Sequence, residues 1–178
     1  MKGNELKGKK IGIVGFGNVG KRVAEISYAL GMKVSIYSSY FNSIKDNFKN
    51  YKSSDLNNIL SNSDIISFHC KPNIDGSSII TKDEFNMMKK NCILINTARG
   101  GLINETDLIQ ALKNNSIKGA ALDVFKKEPL EESELFNLEN IILTPHIAAS
   151  TDEAQIVVAE MVANQFCEYF KNNNIVNS

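Results

Sequence analysis

Apolar and polar positions along the chain switch repeatedly between two periods. Residues 10–14, Lys-Ile-Gly-Ile-Val, form a short apolar run, the pattern of a strand buried in a parallel sheet. The spacing then lengthens. Val19, Val23, Ile26 and Leu30 recur three and four residues apart, which predicts one face of a helix, and Gly31 marks its end. Residues 33–37, Lys-Val-Ser-Ile-Tyr, return to a strand pattern. The polar segment 38–52 reads as a loop with a helical turn. Further strands are expected at 64–68, 92–96, 120–125 and 141–144, and helices at 82–89, 105–113 and 152–170. Thr81 with Glu84, and Ser150 with Glu153, have the spacing of capping boxes at two of those helix starts. Strands alternating with helices predict an α/β fold, a doubly wound parallel sheet in a three-layer α/β/α arrangement. Residues 1–178 read as one domain with no internal linker, ending in an asparagine-rich stretch from Lys171 that is expected to fray.

Composition narrows the function classes. The 178 residues are 43% hydrophobic and 22% charged, with 20 basic side chains balancing 20 acidic ones. That balance gives no electrostatic footprint for nucleic acid or an anionic membrane. No apolar run approaches a membrane span, and the polar, basic start has no secretory core. Cys70, Cys92 and Cys167 are odd in number and scattered, so they read as reduced thiols of a cytoplasmic protein. With His69 and His146 as the only histidines, no metal site of the usual Cys/His spacing is expected.

The first chemistry lies in Gly15-Phe16-Gly17-Asn18-Val19-Gly20, between the first strand and the first helix. A dinucleotide pyrophosphate needs backbone N–H donors and a helix amino end, with no side chain in the way. Gly15 would permit the tight turn, Gly17 the close approach of phosphate, and Gly20 the packing of helix on strand. The strand-turn-helix context separates this motif from a casual glycine-rich turn.

The second cluster falls at the carboxyl ends of later strands, where doubly wound sheets bind ligands. Arg99 follows the strand at 92–96, Glu128 the strand at 120–125, and His146 the strand at 141–144. Singly, each reads as a surface charge, a solvated carboxylate and a structural histidine. Together they form the set needed for redox chemistry on a 2-hydroxy or 2-oxo acid. Arginine clamps the carboxylate, histidine exchanges the hydroxyl proton, and a carboxylate beside the histidine raises its pKa and orients it.

The motif order resembles the D-isomer-specific 2-hydroxyacid dehydrogenase family over nearly the whole chain. The segments that carry the resemblance are Ser63-Asp64-Ile65-Ile66-Ser67-Phe68-His69, Ile95-Asn96-Thr97-Ala98-Arg99-Gly100-Gly101 and Gly119-Ala120-Ala121-Leu122-Asp123-Val124-Phe125. Glu128-Pro129 and Thr144-Pro145-His146-Ile147-Ala148-Ala149-Ser150-Thr151 complete it. Glu153-Ala154-Gln155 and the closing Ile175-Val176-Asn177 lean toward the phosphoglycerate dehydrogenase branch, active in serine biosynthesis.

The resemblance implies NAD as cofactor, NADP not being excluded, and a small 2-hydroxy or 2-oxo acid as substrate. Arg99, Glu128 and His146 would be catalytic, with Arg99 and His146 also near the cofactor. Asn18 and Val19 would offer backbone to the pyrophosphate, and Cys70 would lie along the cofactor. Thr97, Ala98, Asp123, Ala148 and Ala149 would flank its nicotinamide end. Ser38 stands by the ribose where the family usually has aspartate, and His69 reads as a structural residue of its loop. Members of the family are about twice this length and form homo-oligomers. This chain therefore reads as the NAD(P)-binding domain without the substrate domain or the helix that packs the dimer, and as nearly inactive by itself. The alternative is a non-catalytic NAD-sensing module like the family's corepressor members.

Overall fold

A computed structural model describes residues 3–175. The contacts divide the chain into two compact units, one ending at Pro145 and one beginning at His146.

The first unit is built on a seven-stranded sheet in the order β3-β2-β1-β4-β5-β6-β7. The strands are β1 (Lys10–Val14), β2 (Lys33–Tyr37), β3 (Lys52–Ser53), β4 (Ile65–Phe68), β5 (Ile93–Asn96), β6 (Gly119–Leu122) and β7 (Ile141–Leu143). Every ladder is parallel. The helices between them are α1 (Asn18–Ala29), α2 (Ser39–Ile44), α3 (Leu56–Asn62), α4 (Lys82–Met87) and α5 (Glu105–Lys113). This is a Rossmann-like α/β fold, as the alternation predicts.

The two faces of β1 feed different cores. Ile11 and Ile13 pack with Val34 and Ile36 of β2, Ala24 of α1 and Phe41 of α2. Val14 packs with Ile59 and Leu60 of α3, Phe68 of β4, Phe85 of α4 and Leu108 of α5. Period-two alternation on a strand sends neighbouring residues to opposite layers, and here both layers are apolar. Gly12 is required by the second layer: a Cβ on it would lie 2.4 Å from the Ile59 side chain.

Three expectations are corrected. The apolar stripe of α1 is only in part its packing face, since of its four residues Val23 alone packs on the core. The helix buries Gly20, Ala24 and Ser27, while Val19, Ile26 and Leu30 are exposed. Small residues let its axis approach the sheet closely, and Val19, Ile26 and Leu30 are turned outward. Segment 38–52 holds more than the expected helical turn: α2, a 3-10 turn (Lys45–Asn47) and the start of the edge strand β3. A tertiary cluster around Phe16 orders it, with the Phe16 ring edge-on to Phe41 at 4.8 Å and to Phe48 at 5.3 Å. At Thr81, the Glu84 carboxylate accepts from both the backbone N–H and the hydroxyl, as expected. At the other predicted box the cap is Thr151, not Ser150: its hydroxyl accepts from the Ala154 N–H at 3.1 Å.

The second unit carries α6 (Asp152–Asn172), which ends on Asn173 in the left-handed region. No residue of α6 is buried. The expected fraying of the tail concerns residues partly within α6; Val176 and Asn177 lie outside the described residues. Among the described residues, no helix is long and apolar enough to cross a membrane, and no group of three or more His, Cys, Asp or Glu could hold a metal ion.

The three thiols have different surroundings. Cys167 on α6 is exposed, Cys70 is half-buried, and Cys92 is fully buried ahead of β5. Burial pushes the Cys92 thiol up to about 12, despite the nearby Lys89 ammonium.

Candidate functional site

The glycine turn leaves β1 at Val14. Gly15 sits at φ +100°, and a Cβ there would lie 2.3 Å from the carbonyl oxygen of His69. A Cβ on Gly20 would lie 2.3 Å from the Gly15 carbonyl oxygen. These two glycines are therefore demanded by the fold itself. Gly17 differs: it is the N-cap of α1 with ordinary backbone (φ −80°), and nothing lies within 4 Å of its would-be Cβ. Space at Gly17 is kept outside the protein.

The amino end of α1 has no side-chain cap and no acidic residue in its first turn. Asn18 and Val19 open the helix, so their backbone N–H groups stand among the donors that a helix start leaves for an outside acceptor. An open glycine beneath an uncapped helix start fits the pyrophosphate of a dinucleotide.

His69 supports this turn from β4. Its N–H donates to the Val14 carbonyl at 2.7 Å, and its Nε2 is hydrogen-bonded to the Ser67 hydroxyl at 2.9 Å. Burial holds its pKa below the usual histidine value of 6.5. The unfolded chain thus binds this proton more readily, and stability contributed above about pH 6.5 declines as pH falls toward the folded value. The urea midpoint is expected to drop between pH 7 and pH 5, before the carboxylates titrate. His69→Gln should flatten that slope, and an unchanged slope would assign it to other groups.

Ser38 follows β2 and caps α2, its hydroxyl accepting from the Phe41 N–H at 3.4 Å. Cys70 follows His69 at the same carboxyl edge, its thiol pushed up by burial.

At the end of β5, Asn96 organises the loop that carries Thr97, Ala98 and Arg99. Its buried amide accepts from the Ala98 N–H at 3.1 Å and donates to the Arg99 carbonyl at 2.9 Å. Gly100 lies hard against the next strand's exit, where a Cβ would fall 1.7 Å from the Phe125 carbonyl oxygen. The Arg99 guanidinium is exposed and donates to the Ala98 carbonyl at 2.6 Å.

Asp123 after β6 is 3% exposed and accepts from the Thr144 hydroxyl at 2.5 Å. The Glu128 carboxylate accepts from the Phe125 N–H at 2.8 Å. The structure thus brings Thr97, Ala98, Arg99, Asp123 and Glu128 to neighbouring strand ends on the carboxyl edge shared with the glycine turn. His146, Ala148 and Ala149 belong to the second unit, where His146 adopts φ +54°.

Asn96, Thr144 and the Ser67–His69 pair were not singled out from sequence. The signal for Asn96 was a polar residue closing an apolar strand, three residues before an arginine.

Comparison with known proteins agrees with this geometry. Residues 1–148 match the model of the D-isomer specific 2-hydroxyacid dehydrogenase, NAD binding domain. The chain is 40% identical over 178 residues to a glyoxylate reductase of Thermococcus litoralis, covering 98% of this chain and 54% of that protein. It is 38% identical over 181 residues to a D-3-phosphoglycerate dehydrogenase of Methanocaldococcus jannaschii, covering 99% of this chain and 34% of that one. The structure of D-lactate dehydrogenase with NAD+ from Lactobacillus jensenii superposes with a TM-score of 0.83 at 31% identity, over 91% of this chain and 52% of the other. The chain thus spans about half or less of the length of these relatives. With its glycine turn open to a dinucleotide and its motifs matched in order, the chain belongs to the D-isomer specific 2-hydroxyacid dehydrogenase family and carries that family's NAD-binding domain.

Proposed function

We propose that this chain is the cofactor half of an NAD-dependent D-2-hydroxyacid dehydrogenase, with D-3-phosphoglycerate as the favoured substrate and 3-phosphohydroxypyruvate as product. The observation that carries the cofactor half of this reading is the open space at Gly17 beneath an uncapped helix start. The sequence pattern after His146 supports the substrate, and a relative of that name supports it too. A second relative is named for glyoxylate. The two substrates share a carboxylate beside the reacting carbon, and that is the chemistry Arg99 suits.

The nicotinamide, when bound, accepts or supplies the hydride. The protein's residues do the rest. The Gly17 turn and the start of α1 would hold the pyrophosphate. Arg99 swings from the Ala98 carbonyl to clamp the substrate carboxylate through paired N–H donors. His146 takes the hydroxyl proton on oxidation and returns it on reduction.

The chain is expected to bind NADH, as read by fluorescence titration, and to oxidise D-3-phosphoglycerate with at most a trace of turnover. Positioning matters: a misplacement of about 1 Å can cost on the order of a hundredfold in rate. In a protein that includes a substrate domain, His146→Ala should abolish turnover and leave NADH affinity nearly unchanged. Ordinary turnover by the chain alone would refute the cofactor-half reading, and absence of NADH binding would refute the whole of it.

Ser38 sets a weak choice between NAD and NADP. It offers no carboxylate to the ribose hydroxyls and none to repel a 2′-phosphate, and no arginine stands in Ser39-Tyr40-Phe41 to hold that phosphate. Ser38→Asp can still cap α2. It should move the NADH-to-NADPH affinity ratio toward NADH by about tenfold, through lost like-charge tolerance and a gained diol acceptor. An unmoved ratio would place the ribose elsewhere.

A further inference from the structure

The edge of the sheet opposite the glycine turn holds a cleft of about 580 Å³, reached where β1, β2 and β3 begin. It is lined by Lys10, Lys33, Lys49 and Lys52 together with Tyr28 and Tyr51. Lys10, Lys33 and Lys52 are the first residues of their strands, and parallel pairing sets Lys10 directly beside Lys33. The register sets Lys52 beside Ser35, two residues along from Lys33, and all three lysines line the one cleft. The length of β1, roughly 16 Å, separates Lys10 and its neighbour Lys33 from the glycine turn.

No carboxylate lines the cleft, and among the described residues none of the four ammonium groups makes an ion pair. Acids near the cleft are engaged elsewhere: Asp55 caps α3, its carboxylate accepting from the Asn58 N–H at 2.7 Å. Glu25 pairs with Arg22. Asp64 accepts from the Lys10 N–H and pairs with Lys89, and these contacts, working against burial, hold its pKa down to about 2.

Helix ends account for only part of the charge. α1 and α3 both finish at this edge, where Asn58 and Asn62 of α3 join the lining. Each carboxyl end presents about half a negative charge, so the two together answer about one of the four lysines. Some three positive charges are left over. Beside them stand Tyr28 and Tyr51, edge-on at 6.1 Å. Burial, followed by Glu25, raises the Tyr51 pKa and keeps its hydroxyl a neutral donor.

We infer that this cleft is a second, anion-binding site that takes a phosphorylated small molecule, with the phosphoryl group held by Lys33 and Lys52 between the flanking lysines. A nucleoside phosphate and a bare polyphosphate share that chemistry. They differ in whether a ring rests against the tyrosines.

The test is calorimetric titration of the whole chain with inorganic pyrophosphate and, separately, with AMP, both with the glycine turn saturated by NADH. Saturable binding is expected below about 10 mM, weakening as ionic strength rises. Tighter binding of AMP would identify a nucleotide ligand, and tighter binding of pyrophosphate a bare phosphate; either supports the site. The exposed double variant Lys33→Gln/Lys52→Gln should bind about tenfold more weakly, having lost two charge-assisted contacts, with NADH affinity unchanged. No saturable binding of either probe, or binding indifferent to the double variant, would overturn the inference. It stands apart from the dehydrogenase reading, because NADH affinity is measured on the same sample.

Discussion

Gly100→Ala is expected to lower the stability of the folded protein sharply. The added methyl would sit 1.7 Å from the Phe125 carbonyl oxygen and 2.1 Å from its carbon. The clash is with backbone, which cannot rotate aside. That backbone is fixed by the Glu128 carboxylate on the Phe125 N–H and by the Asp123 N–H on the Asn96 carbonyl at 3.0 Å. Overpacking a flexible core costs roughly 1–3 kcal/mol, and a clash between two fixed strand exits should reach or exceed the top of that range. Small domains hold only about 5–15 kcal/mol in all. Urea denaturation of the purified variant, or its soluble yield, would check this. A midpoint within experimental scatter of the parent would mean that the β5 and β6 exits are not held together as described.

The glycine turn should separate folding from binding within three residues. Gly15→Ala places a side chain at φ +100° and 2.3 Å from the His69 carbonyl. A strained left-handed residue alone costs of order 1–3 kcal/mol, so this variant should lose stability and cofactor affinity together. Gly17→Ala adds its methyl to open space at ordinary φ. Its stability should fall by no more than about 1 kcal/mol, the cost of alanine at an N-cap. Its NADH affinity should nevertheless fall at least about tenfold, because the methyl fills the space kept for the pyrophosphate. If Gly17→Ala binds NADH normally, the phosphates do not lie over this turn.

Legibility followed how locally each feature is specified. β1 and β2 were found because their runs are apolar and closed by glycine or a polar turn. α5 begins where Asn104 caps it, the side chain accepting from the Asp107 N–H, and such signals are written in adjacent residues. α3 escaped because Asn57, Asn58 and Asn62 are poor helix formers. Its signal was Asp55 as a cap before Leu56, Ile59 and Leu60. β3 is two residues long and exists only through pairing with Ser35 and Ile36, so nothing local announces it. The packing face of α1 is hard to read locally because large apolar residues usually mark a buried stripe, and of the four here only Val23 packs inward. Against a close-packed sheet the small ones did instead. At the site, glycines and charged residues stood out by type. The groups that hold them, such as Asn96 and Thr144, act through contacts that only the fold creates.

The burial of Cys92 gives the sheet a chemical record of its own opening. A thiol held near 12 and closed to solvent meets an alkylating reagent only when the strands around it part. Its labelling rate therefore counts those excursions. Cys167, exposed on α6, reacts without waiting and calibrates the reagent in the same tube. Any molecule that binds only the closed sheet lengthens the interval between excursions as the reciprocal of the unbound fraction. The ratio of the two labelling rates thus reads ligand binding at either edge of the sheet without a spectroscopic probe.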